Sequence, residues 1–365
     1  MKNDVNLLIL SCGTRNKIVQ YFKKELNGRG KVIATDCDRL APALYEADEA
    51  VIVPRMSSEG YIDEIFAVCK EFNVNAVLSL IDPELSLLAK HKQDFLDIGV
   101  MPIIPDWDVV EMCFDKYKMV KFLSQNGFNT IKTYVDKELF YKGIEAGDIE
   151  YPVFVKPIQG SASMNINKVT SRDGIELLFS KFDDLMIQEF MDGTEYGADV
   201  YIDMISGEVV SIFVKEKIKM RAGETDKSVS MKDKRLFDLM TEFAEVSGMR
   251  GVIDLDIFKV KGKYYISEVN PRFGGGHPHA YECGVNIPEM IVNNMEGNVN
   301  YPVIGDYDAG MYMMKFNEVM VTNLSVVTVK KGGTDHARYP YYCSLYTGAK
   351  RKRKRSVPLP SGEVK

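Results

Sequence analysis

Apolar runs and amphipathic stretches alternate over the first hundred residues. Residues 6–10 form a short apolar run, closed by Ser11-Cys12-Gly13-Thr14, and residues 17–26 follow with helical spacing. Residues 32–35, 50–53 and 76–81 read as further strands. Residues 61–72 read as a helix whose Ile62, Ile65, Phe66 and Val68 share a face, and residues 84–95 as another. Strands alternating with helices through short polar links predict a parallel sheet covered by helices.

The pattern breaks between Pro102 and Pro105, which predicts a boundary. Two helices are expected next, 106–114 with Asp106 as N-cap and 116–126 ended by Gly127. From Tyr151 the chain turns strand-rich, with strands expected over 151–156, 186–190, 197–205, 209–214, 251–260 and 263–269. Ser206-Gly207 and Lys261-Gly262 mark hairpins, and one helix, 236–247, stops at Gly248. An α/β part followed by an α+β part is therefore predicted, and no internal repeat is visible.

Length and composition agree with this division. The chain has 365 residues, more than one core usually spans. No apolar run approaches the roughly 20 residues that cross a bilayer, and the polar start with a four-residue apolar stretch predicts no signal peptide. The six cysteines (12, 37, 69, 113, 283 and 343) form no CxxC pair, so free thiols in a cytoplasmic protein are expected. A net charge of −6 argues against nucleic-acid binding by the body of the protein. The six cations of residues 350–355 are the local exception, read as a solvated tail or as a contact for nucleic acid or an anionic surface.

Candidate chemistry concentrates in the second part. Asp254 and Asp256 alternate on one strand and so share a face. The hairpin at Lys261-Gly262 returns the chain to Glu268-Val269-Asn270-Pro271-Arg272. Asp256, Glu268 and Asn270 can then converge as hard oxygen ligands, the set Mg²⁺ takes beside substrate phosphates; a solvated outer face explains the acids alone. Arg272 adds a cation suited to an oxyanion. Gly274-Gly275-Gly276 reads as a flexible stretch with free backbone N–H groups. Lys156 lies in an apolar strand, where its charge needs a partner such as a nucleotide phosphate. The small-residue loop after it, with Gly160 and Ser161, could wrap phosphates. Lys116 is a weaker phosphate candidate, with a surface helix as the simpler reading. Glu189, Phe190 and Glu195 lie on an extended edge and Gly turn suited to adenine and ribose. Asp82-Pro83-Glu84 is either a helix cap with Pro at N1 or part of a ligand edge. Gly13 is read as a turn glycine, since GxGxxG is missing. His277 and His279 are read as loop positions, with zinc disfavoured for want of a third ligand.

The motifs F-V-K-P (154–157), Q-E-F-x-x-G-x-E (188–195), D-x-D (254–256) and E-V-N-P-R (268–272) resemble the ATP-grasp superfamily. They are most similar to a single synthetase unit of the carbamoyl-phosphate synthase large subunit, from about residue 6 to 319. Asp48, Val53-Pro54-Arg55, Tyr61 and Asp82-Pro83-Glu84-Leu85 resemble its preATP-grasp segment. The resemblance implies a preATP-grasp α/β domain over 1–103 and an ATP-grasp domain over 104–320. Two α+β subdomains of the latter clasp ATP, with a lid at about 125–190. A poorly ordered basic tail would occupy 321–365.

By resemblance, Lys116 and Lys156 contact ATP phosphates, Glu189 and its backbone hold adenine, and Glu195 holds ribose. Asp256, Glu268 and Asn270 bind Mg²⁺, with Mn²⁺ as an alternative. Arg272 faces the transferred phosphoryl group, and Lys217, Arg221 and Glu224 face phosphates and substrate. The implied activity is ATP-dependent ligation of a carboxylate to an amine, releasing ADP and phosphate, by a cytoplasmic protein that acts alone or as a homodimer. Bicarbonate or carbamate phosphorylation and a non-catalytic nucleotide-binding module are the rival readings. Nothing resembles a glutaminase domain or a second synthetase half.

Overall fold

The computed structural model describes residues 4–160 and 166–322 and the strand Val329–Lys331. The first part runs β1 (Asn6–Leu10), α1 (Asn16–Leu26), β2 (Val32–Asp36), β3 (Glu49–Ile52), α2 (Tyr61–Glu71), β4 (Val74–Ser79), α3 (Asp82–Lys90), α4 (Lys92–Asp97) and β5 (Met101–Pro102). The predicted helix over 84–95 is thus two helices, broken at His91. The strands stand parallel in the order β3-β2-β1-β4-β5. Val329–Lys331 adds in parallel beside β3; the rest of the expected tail beyond residue 322 lies outside the described residues. Both faces of the sheet are buried, which is why β1 and β2 read as continuous apolar runs instead of alternating.

Next come α5 (Trp107–Phe114), α6 (Lys116–Gln125), β6 (Thr133–Tyr134), α7 (Lys137–Glu145), β7 (Val153–Pro157), β8 (Asn167–Val169), α8 (Arg172–Phe179) and β9 (Leu185–Glu189). Asp115 caps α6, accepting from Tyr117 N–H at 3.1 Å and Lys118 N–H at 2.9 Å. A small antiparallel sheet, β6-β9-β7-β8, packs on α7 and α8 around Phe140 and Ile175.

The last part contains β10 (Thr194–Ile202), β11 (Val209–Arg221), β12 (Glu224–Met231), α9 (Lys234–Ser247), β13 (Gly251–Val260), β14 (Lys263–Asn270), α10 (His277–Glu282), α11 (Ile287–Met295) and β15 (Tyr312–Met314). The antiparallel order is β14-β13-β10-β11-β12-β15. One face of this sheet is apolar. Ala198, Val200, Ile212, Val214, Ile253, Leu255 and Val269 bury against Leu236, Met240 and Phe243 of α9 and Met119 and Leu123 of α6. Alternation sends the residues between them to the opposite face, which carries the charged groups.

A polar knot joins this sheet to α11. Asp203, fully buried, accepts from the backbone of Ile205, Ser206 and Asn300 and from the Asn294 and Asn300 amides, at 2.8–2.9 Å. Burial alone would raise its pKa, but these donors overcome it and leave it at about 2. The folded pKa is depressed, so this stabilisation is full above the unfolded value near 3.9 and is lost as pH falls toward 2. Asp203→Ala should cost about 3 kcal/mol at pH 7, since it strands several buried donors. Urea unfolding of both proteins should show that gap closing between pH 4 and 2; a pH-independent gap would contradict the assignment.

Candidate active site

The polar face of the large sheet is built from cross-strand register. Asp256 stands opposite Glu268, and Asp254 opposite Asn270, on β13 and β14. On the other side Asp254 faces Asp199 and Asp256 faces Gly197 of β10, and Gly197 in turn faces Lys215 of β11. A Cβ on Gly197 would lie 3.1 Å from the Lys215 side chain and 3.2 Å from that of Lys217. The glycine therefore clears the space into which two lysine stems pack.

Lys217 is 4 % exposed and bridges two acids, Glu195 at 2.8 Å and Asp256 at closer range. Burial opposes its charge, but Asp256, Glu195 and Asp254 hold its pKa above the ordinary lysine value. Asp256 is pushed up, first by burial and then, against the pull of Lys217, by Asp254, Glu195 and Glu268. Lys217 thus pairs with both acids at once, through one oxygen of Glu195 and one of Asp256.

Lys156 of β7 is 7 % exposed and has no hydrogen-bond or ion-pair partner among the described residues. Burial lowers its pKa, Glu268 partly restores it, and Lys116 lowers it again. A buried ammonium with no partner among the described residues, between acids and a second lysine, suits an anionic ligand. Lys116 begins α6 and donates to the Gly160 carbonyl, while its own N–H bonds Ile158 O at 3.0 Å. Lys116, Gly160, Glu268, Asn270, Pro271 and Asp82 line one cleft. Ser161 lies outside the described residues. Glu189 and Phe190 lie at the end of β9, Glu189 exposed and Phe190 packed on Phe154 with ring centroids 5.5 Å apart. Arg221 lies at the tip of the β11–β12 hairpin opposite Glu224, 54 % exposed and beside Asp226 at 3.4 Å.

Arg272 is tightly held. Its Nε–H donates to Asp82 at 3.0 Å and Nη2–H to the same carboxylate at 3.1 Å, while Nη1 donates to Asp254 at 3.2 Å and the Phe273 carbonyl at 3.3 Å. Asp82 is therefore not a helix cap: Ile81 takes that position and no cap bond forms. Nearby, Arg15 pairs with Glu224 at 2.8 Å, and Glu224 also accepts from Lys315 at 2.8 Å.

The glycine run is close-packed, which corrects its reading as a flexible stretch. A Cβ on Gly274 would fall 2.2 Å from an Asp254 oxygen, on Gly275 2.6 Å from the Glu224 carboxylate carbon, and on Gly276 2.7 Å from the Lys215 side chain. His277 and His279 open a helix and are buried. His277 lies 3.2 Å from Asp199, itself ion-paired to Lys215, and His279 bonds Ser228 at 2.8 Å and Met311 O at 3.0 Å.

Sequence reasoning missed Arg15 as well as the partners of Arg272 and Lys217. For Lys215 and Asp199 a signal existed, since each is a charge in an otherwise apolar strand, as Lys156 is.

Among the described residues no three His, Cys, Asp or Glu side chains form a metal cage by themselves. Asp256, Glu268 and Asn270 offer two carboxylates and an amide on one sheet face. That donor set fits Mg²⁺, which completes its shell with phosphate oxygens and water.

An acid pair, a buried lysine and a clamped arginine thus follow a parallel α/β domain. The chain carries an ATP-grasp domain: residues 113–276 match the ATP-grasp domain, and residues 7–103 match the PylC-like, N-terminal domain. It is similar to a carbamoyl-phosphate synthase of Methanobrevibacter smithii, 26 % identical over 305 residues, covering 79 % of this chain and 80 % of that one. It is also similar to a coenzyme gamma-F420-2:alpha-L-glutamate ligase of Methanococcus maripaludis, 29 % identical over 175 residues, covering 44 % and 59 %. The fold matches the biotin carboxylase domain of Hydrogenobacter thermophilus 2-oxoglutarate carboxylase, solved with MgADP and bicarbonate. The TM-score is 0.69 at 18 % identity, covering 84 % of this chain and 73 % of that one. Among the described residues no helix is long and apolar enough to cross a membrane.

Lys156→Ala should abolish most of the melting-temperature rise that Mg-ATP gives the wild type, because a ligand bound only by the native state stabilises it. An unchanged rise would remove Lys156 from the nucleotide site.

Proposed function

We propose that the chain joins a carboxylate to an amine by way of an acyl phosphate made from ATP. The observation that carries this reading is the Asp256–Glu268 pair, set across one hairpin beside Asn270 and Arg272. A carboxylate oxygen attacks the γ-phosphorus, the bond to the bridging oxygen breaks, and ADP leaves. The amine then attacks the acyl carbon, and phosphate departs with the former carboxylate oxygen. Asp256, Glu268 and Asn270 would hold Mg²⁺, or Mn²⁺ in its place, which when bound neutralises charge building on the phosphate oxygens.

Lys156 and Lys116 bind phosphate oxygens. Lys217 stays charged beside Asp256 and Glu195 and faces the phosphates and substrate. Glu195 and the β9 edge at Glu189 and Phe190 receive ribose and adenine. Arg272 faces the transferred phosphoryl group and stabilises the oxyanion as the nucleophile attacks. Arg221 and Glu224 complete the substrate side. The small sheet around β7 and β9, about residues 125–190, serves as the lid.

The test is ADP release from Mg-ATP with bicarbonate, L-amino acids and dicarboxylates, each alone and paired with amines. The reading requires ADP release that depends on one carboxylate. A nucleotide-induced melting shift with no carboxylate-dependent turnover would make the chain a binding module. The Methanobrevibacter relative, a carbamoyl-phosphate synthase, makes carbamoyl-phosphate formation the first activity to try. The protein is placed in the cytoplasm on this reading, and sedimentation would decide whether its working form is a homodimer or a monomer.

A further inference from the structure

We infer that Asp82, on the N-terminal domain, is a positioning residue that fixes the plane of the Arg272 guanidinium and so sets how the ATP-grasp domain grips the γ-phosphoryl group. The inference rests on the placement of Arg272 at the phosphoryl site given above.

The geometry is that of a clamp. Arginine has five N–H donors in one plane. Asp82 takes two of them side-on, at 3.0 and 3.1 Å, and Asp254 and the Phe273 carbonyl take the two on Nη1. One Nη2–H is left without a partner among the described residues. A bidentate pair fixes direction as well as distance, so the free donor can point only one way. Arg272 and Asp82 are 12 % and 9 % exposed, so water competes weakly for these bonds.

Asp82 is itself held. It opens α3 at the carboxyl end of β4, beside β1, where the order of the parallel sheet reverses. Glu84, on the same turn and fully buried, accepts from the hydroxyls of Ser11, Tyr61 and Ser79. Those residues come from the end of β1, the start of α2 and the end of β4. The first turn of α3 is thus tied to three elements of the N-terminal domain, and Asp82 transmits that rigidity across 190 residues of sequence to Arg272. A surface ion pair would have no such anchoring and little effect.

The probe is calorimetric binding of Mg-ADP and of Mg-AMPPNP, which carries the extra phosphoryl group and needs no second substrate. Asp82→Asn keeps the shape but loses the charge. It should bind AMPPNP about tenfold more weakly while ADP affinity stays within about twofold. Asp82→Glu, which restores a carboxylate, should recover AMPPNP affinity to within about threefold; it also serves if the Asn variant folds poorly. Arg272→Lys should show the same selective loss, and adding Asp82→Asn to it should lower affinity by no more than about twofold further, because both act through one group. Multiplying losses, or wild-type AMPPNP binding by Asp82→Asn when Arg272→Lys binds weakly, would overturn the role of Asp82 and leave Arg272 in place. Wild-type AMPPNP binding by Arg272→Lys would remove Arg272 from the phosphoryl site and this inference with it.

Discussion

Glu268→Gln should slow carboxylate-dependent ADP release about 10²–10³-fold. The change keeps size and removes one charge from the pair that faces Asp256 across β13 and β14. Loss of roughly 3–4 kcal/mol of transition-state stabilisation gives that factor. Folding should survive, because Glu268 lies half-buried on the open polar face, opposite the apolar core of Leu255 and Val269. The defect lies in cation affinity, so raising Mg²⁺ should restore part of the rate. Steady-state assays across a magnesium titration check this, and turnover near the wild-type rate at low Mg²⁺ would remove Glu268 from the metal site.

Arg272→Lys should cost a similar factor by a different route. Lysine keeps the charge that Asp82 and Asp254 need, so the buried acids are not stranded. It cannot reproduce the planar fork, so the donor aimed into the cleft is misplaced. ADP affinity should stay near wild type, the chemical step should fall about 10²–10³-fold, and extra Mg²⁺ should not help. Single-turnover measurement separates the two variants. Rescue of Arg272→Lys by Mg²⁺ would show that its loss is one of cation binding.

Much of this site is local in sequence. Asp254, Asp256, Glu268 and Asn270 converge because strand alternation and a two-residue turn, Lys261 and Gly262 at positive φ, dictate it. The partners of Arg272 and Lys217 were not legible. Asp82 and Arg272 are 190 residues apart, and only tertiary packing brings them together.

β12 was missed for a related reason. Its residues Thr225, Asp226, Ser228 and Ser230 are polar yet buried; Ser228 bonds His279 and Ser230 donates to the Asp308 carbonyl. Hydrophobic alternation carries no trace of such a strand. The left-handed Ala222-Gly223 turn that starts it was the available signal. α7 and α8 announce themselves by Asp136 and Ser171, whose side chains cap them. Both helices are short, so the caps are the clearer signal.

Oxygen-18 transfer tests the central claim most directly. The carboxylate that elicits ADP release is labelled with oxygen-18, and the inorganic phosphate formed with the amine present is analysed by mass. Activation as an acyl phosphate predicts one labelled oxygen in each phosphate released, since that oxygen bridges carbon and phosphorus before the amine displaces it. Unlabelled phosphate would mean that water, not the carboxylate, takes the phosphoryl group, and would contradict the account.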